Sequence, residues 1–127
     1  MCACRHTGRV EIRLDGGNAG GAVRVGGTVR RAAGPWTPAV HALLAHLAGK
    51  GFAGSPRPLG FDAPGRAVLT FLAGETVGSA RPWPGWVYGE DTLTQVAAWM
   101  RGFHRAIADF VPPPGAVWRM GGQWLLD

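Results

Sequence analysis

The stretch VEIRLDGGNAGGAVRVGGTVRR, residues 10–31, decides the fold. Val10, Ile12 and Leu14 alternate with Glu11 and Arg13, the period-2 signal of a half-buried strand. The cluster Gly16, Gly17, Asn18, Gly20 and Gly21 then turns the chain. Val23 and Val25 begin a second strand. Gly26-Gly27 is a tight hairpin signal, because such turns need positive φ and glycine adopts it without a Cβ clash. Val29 lies in a third strand, so three antiparallel strands in a meander are expected.

Beyond them, Gly34-Pro35-Trp36-Thr37-Pro38 breaks the strand pattern. Thr37 reads as an N-cap and Pro38 as the first helical residue. Val40, Leu43, Leu44 and Leu47 recur at i, i+3, i+4 and i+7, one apolar helical face. Gly49 and Gly51 end that helix, where the charge of Lys50 suits a C-terminus. Residues 59–61 and 67–72 read as two more short strands, joined by a turn at Asp62-Ala63-Pro64-Gly65. A loop rich in Pro, Gly and Trp runs from Gly78 to Gly89. Asp91 is placed to cap a second helix, whose inner stripe reads as Leu93, Val96, Ala97, Met100, His104 and Ile107, with Trp99 and Phe103 flanking it. Pro112-Pro113-Pro114 stops any continuation. The order β-β-β-α-β-β-loop-α is an α+β arrangement, not a doubly wound sheet.

A chain of 127 residues is one domain, or one lobe of a larger one, and 46% hydrophobic residues suffice for a core. No apolar run approaches the roughly 18 residues of a membrane span. No apolar stretch follows Arg5, so the start does not read as a secretory signal, and a cytoplasmic location is expected. The net charge is +5, and the excess is nearly all Arg, with Lys50 the single Lys. Such a bias, beside 21 Gly, fits a GC-rich genome. The Arg residues are scattered, which is not the footprint of a nucleic-acid binder. Cys2, Cys4 and His6 lack the second pair that a structural zinc site needs, and no metal site is expected.

Three stretches, in this order and spacing, carry a resemblance. They are the glycine-rich turn with Val29-Arg30-Arg31 on the third strand, Phe71-Leu72-Ala73-Gly74-Glu75, and Met100-Arg101-Gly102-Phe103-His104-Arg105-Ala106. Together they resemble the N-terminal lobe of the aminoglycoside phosphotransferase family, the kinase-like small-molecule phosphotransferases. The resemblance implies a protein-kinase-like N-lobe: roughly five antiparallel strands with one packed helix, then a linking helix. It divides the chain into a disordered tail at 1–9, a nucleotide-binding lobe at 10–75, a loop at 76–90, the linking helix at 91–111 and a tail at 112–127. The family reaction is phosphoryl transfer from ATP or GTP to a small-molecule hydroxyl.

Site residues follow from the same resemblance. Gly16, Gly17, Asn18, Gly20 and Gly21 would cradle phosphates with backbone N–H groups; the turn alone reads as a plain glycine hairpin, and its place between two strands with a basic third strand favours phosphate binding. Arg30 stands where the family has a phosphate-binding Lys. Arg31 points to the opposite face of a regular strand, so only one of the two can meet a ligand. Phe71, Leu72 and Ala73 would offer hinge backbone to the base, with Glu75 a loop carboxylate. The first helix has no Asp or Glu between Pro38 and Ala48 to fix a cation, and His41 and His46 read as lying on its polar side.

Phosphoryl transfer needs a catalytic Asp and metal-binding carboxylate or amide groups. Asn18 is the only Asn, and after Asp91 the only carboxylates are Asp109 and Asp127. No catalytic residue is assigned, His104 included. The expectation is a truncated member that binds ATP or GTP weakly, does not hold magnesium alone and is inactive alone. Its apolar lower face would then self-associate or dock a partner chain, with neither membrane nor nucleic acid as partner. Two alternatives belong to other classes: a non-catalytic ligand-binding or immunity-type protein, and a small basic nucleic-acid-binding domain.

Overall fold

A computed structural model describes residues 10–14, 21–78 and 80–119. Five strands form one sheet: β1 (Glu11–Leu14), β2 (Ala22–Val25), β3 (Thr28–Arg31), β4 (Pro58–Phe61) and β5 (Ala67–Thr70). Their order is β1-β2-β3-β5-β4 and every pairing is antiparallel. Two helices complete an α+β fold, α1 (Thr37–Gly49) and α2 (Glu90–Ile107), with a short 3₁₀ turn at Gly85–Tyr88 between sheet and second helix. The expected order of elements is the observed one.

The turns form for the reasons the sequence gives. Gly26 sits at φ 59°, which the hairpin between β2 and β3 requires. Gly65 sits at φ 91° and donates its N–H to the Asp62 carbonyl at 2.9 Å, closing the β4–β5 turn.

Helix starts differ from expectation. Trp36 occupies the N-cap of α1 without a side-chain cap bond. Thr37 is buried instead, and its Oγ1 accepts the Gly34 N–H at 2.9 Å, so it fastens the turn before the helix. Gly89 caps α2, and Glu90 and Asp91 fall in its first turn, where carboxylates favour the helix dipole.

The inner face of α2 is also not the expected one. Leu93, Val96 and Met100 are 70%, 50% and 46% exposed. The side turned towards α1 carries Trp99, Gly102, Phe103 and Ala106. Phe52 meets Trp99 edge-on at 5.5 Å and Phe103 at 6.1 Å, while Trp99 and Phe103 stack at 5.2 Å. Gly102 lets Phe52 approach, since a Cβ there would stand 3.3 Å from the ring. Both sides of this helix are apolar, and large aromatic area with specific ring geometry decides which packs inward.

His41 and His46 do not lie on a polar side of α1. His41 stacks obliquely on Phe61 at 5.2 Å. His46 Nε2 lies 2.7 Å from the Ala106 carbonyl, which can only accept, so this nitrogen carries the proton. Asp109 Oδ1 is 3.2 Å away and Lys50 Nζ donates to Asp109 Oδ2, so the C-terminal ends of both helices are joined. The Lys50 hydrogen bond holds the Asp109 carboxyl below its ordinary range. The core itself is thin: among the described residues the buried apolar side chains are Val25, Ala39, Leu47, Ala67, Val68 and Ala106.

Candidate functional site

Strand register sorts the basic residues of β3 to opposite faces. Residues directly opposite in an antiparallel pair share a face. Ala22, Arg31 and Ala67 lie in one such row, and Val29 and Leu69 in the next alternate position on the same side. Val23, Arg30 and Val68 lie on the other.

Arg30 therefore does not face the site. Its Nη1 pairs with Asp62 Oδ2 at 3.2 Å and its Nε donates to Thr28 Oγ1 at 3.2 Å. Arg66 closes the cluster, donating from its backbone N–H to Asp62 Oδ1 at 2.7 Å, from Nε to Asp62 Oδ2 at 2.8 Å, and from Nη2 to Glu11 Oε1 at 2.7 Å. Edge strand β1 is thereby tied to the β4–β5 turn. Burial pushes the Asp62 carboxyl upward, but the Arg66 backbone and side-chain hydrogen bonds and the Arg30 bond outweigh it and hold it below its ordinary value. The Arg66 hydrogen bond does the same for Glu11 and raises the guanidinium in return.

A pH dependence follows. Carboxylates depressed by folding contribute stability that is complete above their unfolded-state values. That contribution is lost as pH falls past the ordinary 4.5 of Glu11 and 3.8 of Asp62 and Asp109, and is gone below their folded values. Melting temperature is expected to fall across that acid window, and Asp62→Asn to lose stability at neutral pH and flatten the acid slope. An unchanged slope in Asp62→Asn would remove the cluster from the account.

Arg31 lies on the opposite side of the sheet from Arg30. It makes no ion pair among the described residues and lines two adjoining cavities, which also share Leu69. The smaller, about 290 Å³, lies between the sheet and the start of α1, with Trp36, Thr37, Val40 and His41 along one wall and Arg119 at its edge. Arg119 stands over the Trp36 ring at 5.0 Å. Burial holds His41 below its ordinary 6.5, and its Nε2 has no hydrogen-bond partner among the described residues. Gly34 permits the Trp36 position, since a Cβ there would meet the indole at 2.3 Å. The larger cavity, about 600 Å³, is walled by Leu14, Val29, Phe71 and Leu72, with Glu75 and Thr76 at the polar end. Arg24 lies over the Phe71 ring at 3.9 Å and fixes that wall.

Of the expected site residues, Gly21 lines the smaller cavity and Phe71 and Leu72 the larger. Ala73 lines neither, and Gly16, Gly17, Asn18 and Gly20 lie outside the described residues. Arg31, Trp36, His41 and Arg119 were not assigned from sequence. Chemically, the site offers a cation between an aromatic wall and an apolar floor, the composition of a small-ligand pocket.

No helix is long and apolar enough to cross a membrane among the described residues. No family model matches the sequence, and no solved structure matches it. Over 111 residues, 86% of the chain, the sequence is 40% identical to the trifolitoxin immunity protein of Rhizobium leguminosarum bv. trifolii. The match spans 40% of that relative's length. This similarity overturns the resemblance to the aminoglycoside phosphotransferase family: the relative is an immunity protein, and the kinase, phosphotransferase and ATP-binding readings lose their support.

Proposed function

We propose that this chain is an immunity-type binding protein that engages a toxin through the paired cavities around Arg31 without transforming it. The observation that carries the reading is the 40% identity to a trifolitoxin immunity protein over 86% of the chain. Site chemistry supports a binding role: Arg31 supplies a charge, Trp36 and Phe71 supply flat apolar walls, and Leu69 supplies the floor between them. Binding to such a surface sequesters a ligand by burial and orientation, and needs no group poised for proton or phosphoryl transfer.

The test is protection. Trifolitoxin-sensitive cells expressing the chain are expected to grow at toxin levels that stop cells lacking it. Purified chain is expected to melt at higher temperature with trifolitoxin present, because a ligand that binds only the folded state stabilises it. Arg31→Glu is expected to abolish both effects while leaving the ligand-free melting temperature nearly unchanged, as Arg31 is exposed. A folded, expressed chain giving neither protection nor a thermal shift would sink this reading.

A further inference from the structure

The side of α2 that faces away from α1 has the makings of an interface. Leu93, Val96 and Met100 are exposed there, and at 100° per residue they form one stripe with Ala97. Beside its start, Val87 and Tyr88 of the 3₁₀ turn join Leu93 and Val96 around a groove of about 340 Å³. Charge is sorted along the same helix, with Glu90 and Asp91 in the first turn and Arg105 in the last, Arg101 preceding it. Glu90 and Arg101 are about three turns apart, so both lie on one flank of the stripe.

We propose that a second copy of this chain covers this face, α2 against α2, antiparallel about a twofold axis near Ala97. In that register Leu93 of one copy meets Met100 of the other, and Met100 enters the groove beside the 3₁₀ turn. Methionine suits the task, since its unbranched thioether adapts to an irregular gap. The flanks are complementary as well: antiparallel pairing sets Glu90 of each copy beside Arg101 of the other. A twofold pair makes every one of these contacts twice, and a helix with an acidic start and basic end is its own complement when reversed. Small Ala97 at the axis lets the helices approach to the 8–10 Å of ordinary helix packing. None of these residues lines the cavities around Arg31, so the inference stands whether or not the chain binds toxin.

Sedimentation equilibrium of the full chain tests it. A species of twice 13.4 kDa is expected, dissociating on dilution. Glu90→Arg alone is expected to weaken dimerisation roughly tenfold, the effect of about 1.4 kcal/mol. Adding Arg101→Glu to that variant is expected to restore it. With Cys2 and Cys4 replaced by Ser, Ala97→Cys is expected to form an intermolecular disulfide on mild oxidation, and Ala98→Cys, exposed but turned away from the stripe, is not. Monomer at every concentration would overturn the proposal. So would association of indefinite size, a charge swap that fails to restore dimers, or equal crosslinking at both positions.

Discussion

Leu47→Ala is expected to destabilise the fold by about 3 kcal/mol, the middle of the range for emptying a buried leucine site. Leu47 is 1% exposed and is the largest side chain among the described residues to be fully buried. Its neighbours in the core offer little to close the gap, since three of the six buried apolar residues are alanines. A domain of this size carries about 5–15 kcal/mol in all, so one such change removes a large share. The melting temperature should drop by about 10–20 °C, followed by far-ultraviolet circular dichroism. Leu43→Ala, at a half-buried position of the same helix, is expected to lose clearly less. Equal losses at the two positions would mean that Leu47 is not the buried anchor of α1.

How much of this was legible depended on whether one face or two faces of an element are apolar. The meander, both turns and the element order were readable because glycine and alternation mark them locally: Gly26 and Gly65 adopt the positive φ their turns demand. The choice between Arg30 and Arg31 was not readable. Val23, Val25 and Val68 line one face of the sheet, while Val29, Ala67 and Leu69 line the other, so alternation gives no preferred side. Asp62 settles it by capturing Arg30 from a turn 32 residues away, a contact no local pattern reveals. The same ambiguity reversed α2. Leu93, Val96 and Met100 form as good a stripe as Trp99, Phe103 and Ala106, and contacts distant in sequence, the ring cluster with Phe52 and the His46–Ala106 hydrogen bond, decide between them. Arg119 and Trp36 meet across most of the chain, which leaves no sequence signal for the smaller cavity.

Gly54→Ala is the second large effect, and it reports on the aromatic cluster that holds α2. The backbone at Gly54 is not among the positive-φ positions, so alanine can adopt its conformation and any cost comes from the added methyl group. That methyl would stand 2.3 Å from Trp99 Nε1 and 2.9 Å from the Phe52 ring. Trp99 Nε1 also donates to the Gly54 carbonyl at 2.9 Å, so the indole cannot retreat without giving up that bond. Overpacking of this kind costs about 1–3 kcal/mol, and the lost hydrogen bond adds about 1 kcal/mol. Phe52 and Phe103 contact the same indole, so the displacement passes to the α1–α2 contact and opens α2 to proteolysis before the sheet. A double-mutant cycle isolates the clash. Trp99→Ala removes the nearer obstruction and leaves only the edge of the Phe52 ring, so adding Gly54→Ala to it should cost much less than it does in the parent chain, and the two losses should fall well short of additive. Additive losses would show that Gly54 is constrained by something other than Trp99.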